Sequence, residues 1–245
     1  MLSNRLSRRF SRRRPQSSSY IEAMYSCLGL HSETSNIWSH AFGIVLFLSS
    51  AVQLASNPVS STEKFAILMY LVAVIICLVC STFYHIFSDH VRAAAWQRGD
   101  HLSIICVMWA SSLSFSFFSF NEERQAYVAF LTITAILPAV RISTFSYSRS
   151  QDRWSRIITC IAFGCSTILP TAFDPNPDLL QSFWGLVMVN TLGGAVYATN
   201  TVDRAFWNNP TNEKLSHATM HVLFVLGTRI YYHGLLSVHN ATVDR

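Results

Sequence analysis

The sequence predicts an all-α integral membrane protein, built as a bundle of seven transmembrane helices. Of its 245 residues, 51% are hydrophobic and 13% are charged, against the ~25% charged residues usual in soluble globular domains. The mean hydropathy is +0.30. The composition excludes an intrinsically disordered chain, a disulfide-stapled secreted module and a coiled coil, because these need polar bias, dense cysteine or heptad repeats.

Seven apolar stretches are long enough to cross the hydrocarbon core of a bilayer, which takes ~20 residues per helix. Short pieces rich in Pro, Asn and acidic residues separate them, as expected for loops. The stretches are 37–55, 65–87, 101–119, 125–143, 157–173, 180–199 and 214–237. We therefore expect one seven-helix transmembrane domain over residues 31–239 and no extramembrane domain.

The two ends of the chain are predicted to be tails. Six arginines fall within the first fourteen residues, and a Ser-rich stretch follows them. No apolar core of a cleavable signal peptide follows these arginines. We predict a disordered basic cytoplasmic tail over residues 1–30 and a short outer tail over residues 240–245.

The distribution of Lys and Arg predicts the orientation, because positive residues are retained on the cytoplasmic side. With the amino terminus cytoplasmic, the inner segments carry fourteen of these residues and the outer segments only three. The carboxyl terminus is then outside, the reverse of G-protein-coupled receptors, so seven spans do not imply G-protein coupling. The prediction of a multi-pass protein applies equally to the plasma membrane and to endomembranes.

Ionisable residues inside membrane spans are costly and therefore mark candidate functional sites. The predicted topology brings His85, Asp100, His217 and His221 from three distant segments to one depth near the cytoplasmic side. Histidines four residues apart share a helix face, and three nitrogen ligands with one open position are typical of catalytic zinc. We predict a Zn²⁺ ion held by His85, His217 and His221.

Two further residues at this depth are candidates for catalysis. Asp100 is predicted to orient or deprotonate a metal-bound water, and direct ligation of the metal is the alternative. Ser81 lies one helical turn before His85. Its hydroxyl either hydrogen-bonds that water or a developing oxyanion, or bonds the backbone of its own helix.

Residues 31–40 read HSETSNIWSH. This segment resembles the H-x-E-T-x-N-I-W-S/T-H entrance to the first helix of the progestin and adipoQ receptor family. That family includes adiponectin receptors, fungal zinc-homeostasis and osmotin-receptor homologues, and haemolysin III-like proteins. Its three remaining signatures resemble, in order, Ser81-x-x-x-His85, Asp100 with Ile104, and Ser216-His217-x-x-x-His221. The resemblance covers about residues 31–239.

The resemblance implies a seven-helix bundle with a cytoplasmic amino terminus and an intramembrane zinc held by the three histidines. Relatives with characterised chemistry resemble alkaline ceramidases, so hydrolysis of a sphingolipid amide is also implied. Other members are described as receptors for extracellular proteins or steroids. One departure is His101, which follows Asp100 where the animal receptors tend to have tyrosine and could alter the protonation of the aspartate.

The remaining polar residues of the first and last spans have structural interpretations. Glu33, Asn36 and His40 are interpreted as a structural entrance motif, in which Asn36 caps the first helix by accepting backbone N–H groups. Arg229 is expected to pair with a polar group or to extend its head towards the interface.

Two functions are compatible with the sequence. The first is an intramembrane zinc hydrolase of the ceramidase type, with a membrane lipid such as ceramide as substrate. The second is a receptor or signalling scaffold for lipid and zinc homeostasis, in which zinc only joins helices and the ligand is an extracellular protein or a steroid. Ion transport is weaker, because the spans carry no file of ionisable residues. No nucleic-acid partner is expected.

Overall fold

The structure is a computed structural model that describes residues 14, 16–57, 62–120, 122–144, 152–172, 176–206 and 215–243. Within these residues the secondary structure is helical, apart from one isolated β-bridge between Ser17 and His90. A short 3-10 helix, Leu169–Ala172, follows the sixth α-helix. The α-helices are α1 (Tyr20–Ser26), α2 (Thr34–Ala55), α3 (Thr62–Ile86), α4 (Ala93–Ser119), α5 (Arg124–Thr144), α6 (Asp152–Ile168), α7 (Pro177–Thr199), α8 (Thr201–Phe206) and α9 (Leu215–Val243).

Each predicted apolar stretch overlaps one of the long helices. Five of them, α2, α3, α4, α5 and α7, are long and apolar enough to cross a membrane. The apolar part of α6 is shorter, Trp154–Ile168, and α9 carries polar side chains along its length. The chain is an all-helical, multi-pass integral membrane protein.

Several helix boundaries differ from the prediction, and two of the differences have a local cause. α4 begins at Ala93, eight residues before the predicted apolar stretch starts at 101. Residues 93–95 are alanines, which favour helix even outside an apolar stretch. α6 ends at Ile168, and the chain continues as a 3-10 turn that contains Pro170, a residue without a backbone N–H. The start of α7 follows a local signal, because the Asn176 side chain accepts the N–H of Asp178 at 3.0 Å.

The main core is built around α3 and α9, with α2, α4 and α7 packed against them. Tyr70, Phe183 and Tyr231 pack edge to face, with ring centroids 5.2 and 5.4 Å from Tyr231. Gly234 of α9 lies so close to Ser182 of α7 that a β-carbon would overlap that side chain, a close approach that small residues allow between membrane helices. This packing holds α9 and the histidines on it in place.

The segment before α2 is folded against the turn between α3 and α4. The Ser17 N–H donates to the Asp89 carbonyl at 3.1 Å, and the Tyr20 ring stacks on His90 at 4.0 Å. The predicted disordered tail is therefore wrong for residues 16–30, because aromatic contacts and backbone hydrogen bonds attach them to the bundle. Residues 1–13 and 15 lie outside the described residues, as do 244 and 245 of the predicted outer tail. Residues 240–243 continue α9.

Candidate metal centre

Helices α3 and α9 bring three histidines together at one end of the bundle. His85 lies in the last turn of α3, and His217 and His221 lie in the first two turns of α9. The ring centroids of His85 are 5.0 Å from those of His217 and of His221, and the latter two are 4.5 Å apart. One donor atom from each ring lies within 4.8 Å of the other two.

The spacing of these donor atoms fits a shared metal ion. Imidazole nitrogens that share a tetrahedral ion at ~2.0–2.1 Å lie ~3.4 Å apart. Nε2 of His85 and Nε2 of His221 are 3.1 Å apart, and both side chains are buried, whereas His217 is half-buried. The cluster could therefore hold a metal ion after a small adjustment of the His217 ring.

Glu33 fixes the orientation of the His85 ring. Its Oε2 lies 3.0 Å from Nδ1 of His85 and also accepts the side-chain amide N–H of Asn36 at 2.8 Å. A carboxylate against Nδ1 holds the imidazole proton there, so the lone pair of Nε2 is directed at the other two histidines. Carboxylate partners of this kind orient metal-binding histidines in many proteins.

The predicted helix-capping role of Asn36 is wrong. α2 begins at Thr34 with Glu33 as its N-cap residue, and the Glu33 side chain makes no capping hydrogen bond. Asn36 lies inside the first turn and is fully buried. The Glu33 and Asn36 side chains are instead directed into the bundle, where the Glu33 carboxylate is hydrogen-bonded by Asn36 and lies against Nδ1 of His85.

His40 is also part of this buried polar region. It is 2% exposed, and its ring centroid lies 3.9 Å from that of His221 in an edge-on arrangement. Neither ring nitrogen has a hydrogen-bond partner among the described residues, and the same holds for Oδ1 of Asn36. Three buried polar atoms beside the histidine cluster are therefore left without a partner among the described residues.

The two predicted catalytic residues are buried close to His85. Ser81 is on α3, one turn before His85, and Asp100 is on α4. Gln97, one turn before Asp100 on α4, donates to the hydroxyl of Tyr84, the residue before His85, at 3.3 Å, so this part of α4 packs against the end of α3. The neighbouring ring of His101 lies along α4, with Nδ1 2.5 Å from the Gln97 carbonyl oxygen.

A reciprocal cap fixes the start of α9. The Asp203 carboxylate accepts the backbone N–H groups of Leu215 and Ser216 at 3.0 and 2.8 Å, and the Ser216 hydroxyl accepts the N–H of Asp203 at 3.1 Å. Asp203 and Ser216 are fully buried. The pair sets the position of His217, and sequence reasoning missed it because the two residues are thirteen apart.

Arg14 contacts the end of α3 next to the cluster. Its guanidinium donates to the His85 carbonyl at 2.8 Å and to the Ser88 hydroxyl at 3.0 Å. It also forms an ion pair with Asp89 at 3.0 Å and donates to Ser26 at 2.6 Å. Arg14 thereby attaches the amino-terminal segment to the last turn of α3, a role that its position in an arginine-rich tail did not indicate.

Comparison with known proteins adds an independent observation. A model of the haemolysin-III related family matches residues 28–232, which include all the histidines of the cluster. The progestin and adipoQ receptor-like protein 1 of Caenorhabditis elegans is 26% identical over 239 residues, covering 91% of this chain and 55% of that protein. The adiponectin receptor protein of Drosophila melanogaster is 23% identical over 239 residues, covering 91% of this chain and 54% of that protein.

A human relative is matched over more of its length. The human progestin and adipoQ receptor family member 3 is 27% identical over 221 residues, with 80% of this chain and 70% of that protein covered. The chain spans about half the length of the nematode and fly relatives. The likeness therefore concerns the helical region that carries the histidine cluster.

Proposed function

The chain belongs to the haemolysin-III related family, and on this premise we propose that it is a zinc protein that hydrolyses a lipid amide within the membrane. The observation that carries the proposal is the set of three imidazoles with donor atoms within 4.8 Å of one another. Three nitrogen ligands with one open position are typical of catalytic zinc, whereas structural zinc usually has four protein ligands.

The residues around the cluster are suited to amide hydrolysis. When bound, zinc acts as a Lewis acid that polarises the amide carbonyl and activates a water molecule. Asp100 accepts a proton as the water oxygen bonds to the carbonyl carbon, and the Ser81 hydroxyl donates to the developing oxyanion. The C–N bond then breaks and the leaving nitrogen takes the proton, which yields a carboxylic acid and an amine.

The unpaired polar atoms buried beside the cluster favour a neutral lipid headgroup. These atoms, the His40 ring nitrogens and Oδ1 of Asn36, lack partners among the described residues, and burial of unpaired polar groups is costly. The amide and hydroxyl groups of ceramide would pair with them without introducing a charge. We therefore propose ceramide or a related sphingolipid as the substrate class.

Hydrolysis of ceramide by the purified, zinc-loaded protein is the test of this proposal. We expect release of fatty acid and sphingoid base, and a ~10²–10⁴-fold lower rate for Asp100→Asn, the effect of losing a general base. Product release is measured by mass spectrometry, and zinc content is measured on the same samples. Asp178→Asn, at an exposed position at the start of α7, is the matched control and should keep the full rate.

A zinc-loaded protein that releases no fatty acid from ceramides of any chain length would contradict the hydrolase proposal. The second candidate is then a membrane receptor or scaffold in which zinc joins α3 to α9. The names of the nematode, fly and human relatives, which call them receptors or receptor-like proteins, favour this alternative. Its ligand would be an extracellular protein or a steroid, and its signalling output would persist in Asp100→Asn.

We further propose that seven helices span the membrane, with the amino terminus cytoplasmic and the carboxyl terminus outside. Three observations support this topology: the five apolar helices, the further long helices α6 and α9, and the excess of Lys and Arg in the segments on one side. The histidine cluster then lies near the cytoplasmic leaflet, where water can reach it.

Epitope tags at the two termini test this topology in intact cells. An antibody added outside should bind the carboxyl-terminal tag at once and the amino-terminal tag only after permeabilisation, because an odd number of spans places the termini on opposite sides. Equal accessibility of the two tags would mean an even number of spans. Binding of the amino-terminal tag alone would mean the reverse orientation.

A further inference from the structure

Arg229 is a cation placed between two membrane helices. It lies at the centre of α9, fourteen residues from each end, and its Nη1 donates to the Ser50 hydroxyl of α2 at 2.7 Å. Ser50 is five residues from the end of α2 at Ala55, or ~7.5 Å along the helix axis. The guanidinium therefore lies between the histidine cluster, whose His221 is eight residues away along α9, and the far end of α2.

The contacts of Arg229 leave its charge without a counterion. Besides Ser50, the guanidinium lies over the ring of Tyr232, 5.2 Å from the ring centroid. No carboxylate in the described part of the chain lies within 4.0 Å of it. A guanidinium has five N–H donors, and Ser50 accepts only one hydrogen bond from it. Cations in membrane proteins are normally paired, because the surrounding dielectric is low.

One face of α9 connects this cation to the lipid. Val222, Leu226, Arg229 and His233 follow one another at spacings of four, three and four residues, so they share a helix face. Val222 is 56% exposed and Leu226 is 49% exposed, and His233 is exposed as well. An apolar stripe on the outside of the bundle thus ends at two nitrogen-bearing side chains.

We propose that this face of α9 binds an anionic phospholipid, with its phosphate on Arg229 and His233 and an acyl chain along Leu226 and Val222. The fork of a guanidinium matches two phosphate oxygens in a bidentate pair. His233, one turn further on, supplies a donor for a third phosphate oxygen. A fatty-acid carboxylate has only two oxygens and would leave this donor unused. The proposal uses none of the residues of the metal centre.

Native mass spectrometry of the protein from nanodiscs tests the proposal. In equal mixtures of phosphatidylglycerol and phosphatidylcholine, we expect the wild-type protein to retain phosphatidylglycerol at least several-fold more often. Arg229→Gln should lose this preference, and Arg229→Lys should keep part of it because the charge remains. Arg124→Gln is the matched control, since Arg124 donates to carbonyl oxygens of Phe117 and Phe120 within the chain and should not affect lipid retention.

Two competition arms identify the source of the anion. Inorganic phosphate should not displace the retained lipid, and oleate should displace it only weakly. An unchanged phosphatidylglycerol preference in Arg229→Gln would overturn the proposal, and so would displacement by inorganic phosphate alone. Stronger retention of oleate than of phosphatidylglycerol would overturn the phosphate assignment. Monodisperse elution of Arg229→Lys and Arg229→Gln excludes misfolding as the cause of any loss.

Discussion

The His221→Ala variant is expected to lose its bound metal and, with it, all hydrolytic activity. His221 is the central residue of the cluster, because its Nε2 lies 3.1 Å from Nε2 of His85 and its ring lies 4.5 Å from that of His217. Two imidazoles remain in the variant, and they belong to different helices. The fall in zinc affinity should exceed the ~10–100-fold change that loss of an outer partner of a metal ligand causes.

Zinc stoichiometry, measured by elemental mass spectrometry, is the direct readout for this variant. The thermal unfolding temperature with and without chelator is the second readout, since metal that binds only the folded state stabilises it. The chelator should lower the unfolding temperature of the wild-type protein and leave that of His221→Ala unchanged. His233→Ala is the matched control, because His233 lies on the same helix outside the cluster.

Full zinc occupancy in His221→Ala would contradict the assignment of the cluster as the metal centre. Equal loss of zinc in His233→Ala would point instead to general destabilisation of α9. The two variants together therefore separate a missing ligand from a damaged helix.

The Glu33→Gln variant is expected to bind zinc ~10–100-fold more weakly, although Glu33 is not among the three clustered ligands, because loss of an outer carboxylate partner has effects of this size. The negative charge of Glu33 holds the proton on Nδ1 of His85 at a distance of 3.0 Å. The neutral amide keeps the shape of the side chain but stabilises this tautomer less and adds an N–H beside the buried Asn36 amide. The tautomer of His85 whose Nε2 lone pair is directed at the metal is then less populated.

Chelator competition titrations of the purified protein measure this affinity. The chain offers a closely matched control at the far end of the bundle, where Glu63 lies 3.2 Å from Nδ1 of the buried His239. Glu63→Gln removes the same kind of Glu–His contact and should leave zinc affinity unchanged. Equal affinity of Glu33→Gln and the wild-type protein would show that Glu33 has no influence on the metal centre.

Much of the fold could be predicted from the sequence because membrane helices obey a local rule. In lipid, the backbone N–H and C=O groups of a helix must hydrogen-bond to one another, and the helix must present apolar side chains over ~20 residues. Helices are found at all seven predicted stretches, from 37–55 to 214–237. The ends of helices were less predictable, as α4 shows by starting at Ala93, since apolarity marks the lipid core and not the helix itself.

Part of the candidate site was also visible in the sequence. The i, i+4 spacing of His217 and His221 places both on one face of α9, and His85 was placed at the same depth by the arrangement of arginines. The distances between the three rings agree with that expectation. The roles of Asp100 and Ser81 remain proposals, which the Asp100→Asn assay addresses for the proton acceptor.

The surroundings of the cluster were not predicted, because their contacts cross long distances in sequence. Glu33 contacts His85 fifty-two residues away, and Arg14 contacts the His85 carbonyl seventy-one residues away. Considered alone, Glu33 and Asn36 are common residues at a helix start, and Arg14 is one of many basic residues in a tail. The packing of α2 against α3 gives Glu33 and Asn36 another role, and the contact of the amino-terminal segment with the end of α3 does so for Arg14.

The sequence by itself thus determined the class of the protein, the positions of its membrane helices and the identity of the three clustered histidines. Hydropathy and helical spacing suffice for the helices and for the spacing of the histidines, because both depend on residues within one segment. The charge distribution indicates which segments share one side of the membrane. Tertiary structure alone decided that Glu33 orients His85, that His40 is buried beside His221 and that Arg229 faces Ser50. Such contacts depend on the relative rotation of packed helices, and no local pattern of residues specifies that rotation.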